Sequence, residues 1–343
     1  MNLIDPASEE NRRRIEEATF QGMIGGSNTM QKVFYEIKTI APYDNDVNFD
    51  GETGTGKELA ALALYRLSER KDAPFIPCNC GIDMGRGILE SELFGYAGGA
   101  FTGAKKGGKK GLVEIANSGT LFLDEIHKSS YTLQDALLRF LQNGTYRRVG
   151  STQELESDVR IVTASSQRLG DALSDGNIRE DFYYRVVNTS ITLPPLRERG
   201  KDIELLTMYF ANECKKDIKI KTKTMEYITR CNWPGNIRQL QAVIESTIPF
   251  STDQILNHDR LVGSINRVRN QIKGTDHDQL FMGRNKVDFD AETRSFQKSM
   301  LKQALTMSEG NIAQAAELLG LNRTTLSEKL KKLKICATDY KPR

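Results

Sequence analysis

The chain has 343 residues, 38% of them hydrophobic, and a formal net charge of +3. That length and composition fit a soluble chain of about two domains with room for a sizeable core, and exclude a disordered protein. No apolar run approaches the ~20 residues of a spanning helix, and MNLIDPASEENRRRIEE has no apolar leader, so a cytoplasmic protein without membrane contact is expected.

The five cysteines (78, 80, 214, 231 and 336) are odd in number and contain no CxxC pair, and the three histidines lie far from them. Inert thiols are therefore expected rather than a disulfide framework or a zinc site. In chain order, residues 1–19 form an N-terminal segment. From 20 to 196, apolar strand-like runs alternate with amphipathic helical stretches, which predicts an α/β subdomain with a mainly parallel sheet. The strands are expected at 75–77, 119–124, 160–164 and 189–193, and helices at 57–68, 133–143 and 202–216. After Leu196 the strand signals stop, predicting a helical subdomain over 197–250. Residues 251–288 are polar and turn-rich and read as a linker, and 289–343 as a last helical domain.

Between the first strand signals lies GETGTGKE, comprising Gly51, Glu52, Thr53, Gly54, Thr55, Gly56, Lys57 and Glu58. In a G-x-x-x-x-G-K loop, glycines let backbone N–H groups close around phosphates and the lysine reaches the terminal ones. Two features depart from that pattern. The preceding VNFD (47–50) is half polar, and Glu58 stands where a Ser or Thr normally touches Mg²⁺. GTLFLDE (119–125) supplies an apolar strand ending in two acids, at the strand end where open parallel sheets bind ligands. Asp124 is placed to hold Mg²⁺, directly or through water, and Glu125 to orient and polarise an attacking water. A strand-end Asp-Glu pair also serves as a helix cap, but beside the glycine loop it points to ATP and Mg²⁺ as cofactors.

Between these motifs, GGAFTGAKKGGKKG (98–111) has one large apolar side chain, Phe101, among six glycines and four lysines. Such a segment builds no core; it is either a solvated turn or a flexible loop presenting an aromatic tip. At the other end, residues 311–319, a Gly320-Leu321-Asn322 turn and residues 323–332 have helix-turn-helix spacing. Arg323, Thr324, Thr325 and Ser327 would open a recognition helix within reach of base edges, and Lys329, Lys331 and Lys332 suit phosphates. From Arg323 onward there are seven Lys or Arg against two acids. A helical bundle that only mediates oligomerisation is the competing reading.

Taken together, these motifs resemble the AAA+ bacterial enhancer-binding proteins, which activate the sigma-54 form of RNA polymerase. The resemblance covers roughly residues 20–335. It rests on GAFTGA (99–104), GETGTGKE, ESELFG (90–95), GTLFLDEI (119–126), REDFYYR (179–185), LPPLRER (193–199), WPGNIRQL (233–240) and a Fis-type GNIAQAAELLGLNRTTLSEKLKKL (310–333). It implies an AAA+ P-loop ATPase with a small helical subdomain, followed by an all-α DNA-binding domain. Rings, usually hexamers, with ATP between subunits are implied as well. Arg179 and Arg185 then fall on arginine-finger positions, Arg238 on the second sensor, and Asn79 on the asparagine that restrains the Walker B glutamate. Ser165-Ser166 replace the usual Thr-Asn of the first sensor, leaving Ser166 as the nucleotide-facing hydroxyl. Gly99, Ala100, Phe101, Thr102, Gly103 and Ala104 become the contact to sigma-54.

The implied function is an activator that binds double-stranded DNA upstream and uses ATP hydrolysis to convert closed sigma-54 polymerase complexes into open ones. Only about twenty residues precede the ATPase, too few for a receiver domain, so the expectation is control in trans, no control, or a regulatory domain lost with a truncated N-terminus. The polar VNFD strand and the serine pair keep two alternatives open: slow hydrolysis, or a non-catalytic DNA-binding regulator that uses the ATPase domain as a scaffold. A general AAA+ remodeller of other proteins is a third.

Overall fold

The computed structural model describes residues 3–81, 88–101, 104–214, 217–272, 297–298, 300–302, 304–306, 308, 310–333 and 335. The chain divides into two compact units, Met1–Gln271 and Ile272–Arg343. The first is built on a five-stranded, fully parallel sheet of β1 (Val47–Asp50), β2 (Phe75–Asn79), β3 (Thr120–Asp124), β4 (Arg160–Ser165) and β5 (Ser190–Thr192), in the order β5-β1-β4-β3-β2. Successive side chains of a strand point to opposite faces. Leu121 and Leu123 therefore pack into one core with Leu133, Leu137 and Phe140, while Phe122 enters the other with Phe49, Leu64 and Ile37. Both faces are covered, which is why LFL and IV read as unbroken apolar runs.

The half-polar strand keeps its place because the Asn48 amide finds partners on both sides. Asn48 is fully buried between β4 and β5. Its amide oxygen accepts from Thr163 Oγ1 of β4 at 2.9 Å, and its amide nitrogen donates to Ser190 Oγ of β5 at 3.0 Å. A buried amide with both ends satisfied avoids the desolvation penalty of an orphaned one.

Helix α1 (Glu9–Glu17) is capped by Ser8, and α2 (Asn28–Ile40) by Ser27. The phosphate-loop helix α3 (Lys57–Arg66) follows β1, α4 (Tyr131–Asn143) follows β3, and α5 (Glu180–Val186) precedes β5. Beyond β5 come α6 (Asp202–Cys214), α7 (Thr222–Arg230), α8 (Asn236–Thr247) and α9 (His258–Ile272), which pack around Trp233. The Trp233 indole N–H donates to the Ile228 carbonyl at 2.9 Å, so the buried ring leaves no orphan donor.

Two expected boundaries move. The presumed N-terminal segment is part of the helical subdomain: Leu3–Ile4 pairs antiparallel with Ile220–Lys221, and Ile15 joins the Trp233 core. The presumed linker begins as structure, because Leu261 and Ile265, one turn apart on α9, bury into that core together with Leu256 just before the helix. Residues 273–288 of that segment lie outside the described residues.

In the second unit, α10 (Ile312–Leu318) and α11 (Arg323–Lys332) enclose a small core of Leu301, Leu305, Ala315, Ala316, Leu326 and Leu330. Asn311 caps α10, accepting from the N–H groups of Ala313 and Gln314. Gly320 holds the turn with φ +60°, a conformation that favours glycine.

Candidate functional site

The chain leaves β1 at its C-terminal end and wraps into α3 through the glycine loop. Gly54 has φ +80° and lies so close to the helical subdomain that a Cβ would sit 2.4 Å from the Gly235 carbonyl. Gly56 has φ +101° and nothing within 4 Å of its missing Cβ, leaving open space at the start of α3. Helix N-termini present unpaired N–H groups and a positive dipole end, which suits a phosphate.

Lys57 is buried and donates from Nζ to the carbonyls of Gly51 at 2.7 Å and Glu52 at 3.2 Å. Burial pulls its pKa down, against the charges of Glu125 and Asp124, which favour the ammonium. Asp124 ends β3 beside Asn79 of β2. Its Oδ1 accepts the Glu125 N–H at 2.9 Å, and its carbonyl accepts the Cys80 N–H at 2.8 Å. Burial pushes the Asp124 carboxyl up, opposed by that N–H and by Lys57.

Glu125 adopts φ +55°, which turns the chain sharply out of the sheet. Ser166 Oγ at 2.7 Å and Lys128 Nζ at 3.1 Å meet its Oε2, and His127 Nε2 lies 3.5 Å from it. Burial alone would raise this carboxyl, but the Ser166 hydrogen bond and Lys128 outweigh it and hold it below the ordinary glutamate value. Behind it, His127 is buried and its Nδ1 lies 3.0 Å from Ser165 Oγ. Asn79 reaches elsewhere: its Oδ1 accepts the Gly81 N–H at 2.8 Å.

The helical subdomain grips the loop through groups that motif reading did not single out as a set. Arg199 is buried and donates to the Thr55 carbonyl and to the Pro194 carbonyl, each at 2.8 Å. Burial pushes its pKa down to about 10, with Asp202 opposing the shift. Arg197 pairs with both carboxylate oxygens of Glu52, at 2.6 and 2.9 Å. Asn236, fully buried, donates to Glu52 Oε2 and to the Thr53 carbonyl, and accepts the Leu196 N–H. The Ile237 N–H donates to the Gly54 carbonyl at 2.9 Å. Arg238 follows, with its Cβ against Gly54 and its charge felt by both Lys57 and Asp124. LPPLRER and WPGNIRQL were legible as motifs, yet the contacts of Arg197, Arg199 and Asn236 depend on the subdomain folding back.

Beside the loop opens a cavity of about 550 Å³ bounded by Thr55, Gly56 and Leu59, by Ile24, and by Leu206 and Ile237 of the helical subdomain. It has the size and apolar walls of a small-molecule pocket next to a phosphate-binding loop.

Arg179 and Arg185 are not brought to this site within the chain. Arg179 pairs with Asp135 at 2.6 Å and Asp181 at 2.8 Å. Arg185 donates to the Leu141 carbonyl and faces Asp46, which precedes β1 at the sheet edge opposite the glycine loop.

The GAFTGA segment rises from a hairpin in which Gly95–Tyr96 pairs with Lys109–Lys110. Phe101 is 47% exposed, its ring edge-on to Tyr96 at 5.0 Å. The hairpin backbones pack so closely that a Cβ on Gly98 would lie 2.1 Å from the Lys106 carbonyl and one on Gly108 2.4 Å from the Tyr96 carbonyl. Lys110 pairs with Glu114 at 2.9 Å and Lys109 lies 3.9 Å from Glu92, so these two lysines brace the hairpin base. Gly99, Ala100 and Ala104 flank the tip, and Thr102 and Gly103 lie outside the described residues.

In the C-terminal unit, Arg323, Thr324, Ser327 and Lys331 are exposed on α11, with Thr325 and Lys329 half-buried. Ser327 Oγ donates to the Arg323 carbonyl at 2.9 Å.

Comparison with known proteins matches this layout piece by piece. Residues 23–192 match the family model described as the sigma-54 interaction domain, 197–277 an AAA+ ATPase lid domain, and 293–333 the Fis family of bacterial regulatory proteins. The luminescence regulatory protein LuxO of Vibrio campbellii is 37% identical over 318 residues, 91% of this chain and 69% of LuxO. The chain belongs to the sigma-54-dependent transcriptional activators. The activator AcoR of the acetoin dehydrogenase operon of Bacillus subtilis is 38% identical over 93% of this chain, which spans 52% of AcoR. NtrX of Brucella abortus, solved in complex with ATP, superposes with a TM-score of 0.65 at 27% identity, over 95% of this chain and 73% of that one. Among the described residues no helix is long and apolar enough to cross a membrane.

Proposed function

We propose that this activator is an ATPase whose hydrolysis drives the GAFTGA hairpin against sigma-54, remodelling closed polymerase complexes into open ones while the helix-turn-helix holds upstream DNA. The observation that carries it is the convergence of Lys57, Asp124 and Glu125 at one sheet edge, next to the glycine loop and the adjoining cavity. The ATP complex of NtrX supports the same ligand here.

The cavity takes the base, the N–H groups of the loop and α3 take the phosphates, and Lys57 leaves its carbonyl partners for the terminal phosphate. Glu125 holds the attacking water with the carboxylate oxygen that Ser166 and Lys128 leave free. Asp124 keeps Oδ2 after the Glu125 N–H has taken Oδ1. Nearby, Asp50 Oδ1 is buried with no hydrogen-bond partner among the described residues. One or two hard carboxylate oxygens beside bound phosphates suit Mg²⁺, which keeps several waters; when bound it would neutralise phosphate charge.

Arg179 and Arg185 face away from their own loop, so their charge reaches ATP only from a neighbouring subunit in a ring, for which a hexamer is the expected size. Phe101 at the hairpin tip and the hydroxyl of Thr102 form the sigma-54 contact. DNA is read by Arg323, Thr324, Thr325 and Ser327 and held by Lys329 and Lys331. The working compartment is the cytoplasm.

Steady-state ATP hydrolysis across a range of protein concentrations, with Lys57→Ala as control, tests this reading. Turnover well above the variant is expected; equal rates would reduce the ATPase domain to a scaffold.

A further inference from the structure

Gln134 of α4 is fully buried, and its side-chain amide is committed to hydrogen bonds. Nε2 donates to the carbonyls of Ser129 and Asn177, and Oε1 accepts the Arg179 N–H, each at 2.9 Å. The Asn177 carbonyl and the Arg179 N–H flank Ile178, which is also buried, so the amide pairs with this segment as a peptide group of a neighbouring strand would. The N–H groups of Asn177 and Ile178 already donate to the Ala172 carbonyl, and Gln134 satisfies the two groups that this backbone contact leaves. Two more residues of α4 hold the same segment: Tyr131 Oη donates to the Gly176 carbonyl, and Asp135 pairs with the Arg179 guanidinium. Arg179 is therefore fixed at its backbone by a buried group, while its side chain, 42% exposed, is held only by the half-exposed carboxylates of Asp135 and Asp181.

We infer that Gln134 is a positioning residue for Arg179: it sets the point from which the guanidinium reaches the terminal phosphate bound in a neighbouring subunit. The inference rests on the ring ATPase reading above. Exchanging carboxylate oxygens for phosphate oxygens replaces one anionic partner by another, and the flexible side chain makes that exchange while the main chain stays in place. Gln134 thus acts on the site of the next subunit, not on its own.

ATP turnover of the full chain with Gln134→Met, measured alone and in mixtures, tests this. Alone, kcat is expected to fall about tenfold to a hundredfold with KM for ATP within about threefold, the scale of a catalytic group misplaced by about 1 Å. Mixed with Lys57→Ala, whose subunits keep Gln134 and Arg179 intact, the variant should regain turnover, because its own sites then receive well-placed arginines. Mixed with Arg179→Ala it should regain none. An unchanged kcat, loss of ATP binding by the variant, no recovery beside Lys57→Ala, or recovery beside Arg179→Ala would each overturn the assignment. A residue needed only for the fold of its own subunit is not rescued by a neighbour. The mixture of Arg179→Ala with Lys57→Ala separates the two readings: recovery there with none for Gln134→Met rejects the role of Gln134 alone. No recovery there, or wild-type turnover no higher than that of Lys57→Ala, removes the ring ATPase reading and the role of Gln134 with it.

Discussion

Arg199, buried at the base of the helical subdomain, donates to the carbonyl of Thr55 inside the glycine loop at 2.8 Å, tying the two parts of the nucleotide site by a charged hydrogen bond. Removing a buried charged donor leaves two carbonyls unpaired, and hydrogen bonds to charged groups contribute about 1.5–3 kcal/mol. Arg199→Ala is expected to lower unfolding stability by that order and to weaken ATP binding as well. Urea unfolding paired with nucleotide titration checks it; a stability loss with intact ATP affinity would mean that the contact does not shape the loop.

The Glu52–Arg197 pair should act in the same place with a pH signature. The Arg197 hydrogen bond, against burial, holds the Glu52 carboxyl below its ordinary value of 4.5. A depressed carboxyl contributes stability that is fully present above the unfolded value and is lost as pH falls through the folded one. The stability difference between wild type and Glu52→Gln should therefore hold constant from neutral pH to about 5 and shrink below 4.5. With both partners more than a third exposed, solvent screening keeps the difference small. Urea midpoints measured across that range would count against the pairing if the gap stayed constant throughout.

Asn48 makes a sharper test of the sheet. Asn48→Leu restores an apolar strand yet orphans the buried Thr163 Oγ1, while Ser190 Oγ keeps Asp50 as a partner, and an unpaired buried polar group costs about 1–3 kcal/mol. The single variant should be destabilised, and adding Thr163→Val should recover part of the loss. A stabilised single variant would show that the polar pair contributes nothing to folding.

In the DNA-binding unit, Lys331→Ala should weaken binding evenly across sequences and reduce the salt slope by about 1, whereas Arg323→Ala should also blunt sequence preference. Binding isotherms at several salt concentrations on specific and random duplexes distinguish the two.

Much of this was legible in the residues, and for identifiable reasons. GTLFLDE reads as a buried strand ending in acids because both of its faces are covered, so apolar character is unbroken until the ligand edge. The strand VNFD was the ambiguous one, since its Asn48 amide is satisfied by Thr163 and Ser190, more than a hundred residues away. The helix of Leu261 and Ile265 is masked in the sequence because polar, turn-forming residues surround them. The grip of Arg197, Arg199 and Asn236 on the loop could not be read locally, being a product of chain return. Nor could Ser166: a hydroxyl expected at the nucleotide instead donates to Glu125.

The central claim is that hydrolysis at Lys57, Asp124 and Glu125 moves the Phe101 tip against sigma-54. Open-complex formation on a sigma-54 promoter with purified polymerase tests it most directly, using wild type, Lys57→Ala and Thr102→Ala with ATP. Wild type should open the promoter, Lys57→Ala should neither hydrolyse nor open it, and Thr102→Ala should hydrolyse without opening it. Promoter opening by Lys57→Ala or Thr102→Ala at the wild-type rate would contradict the account.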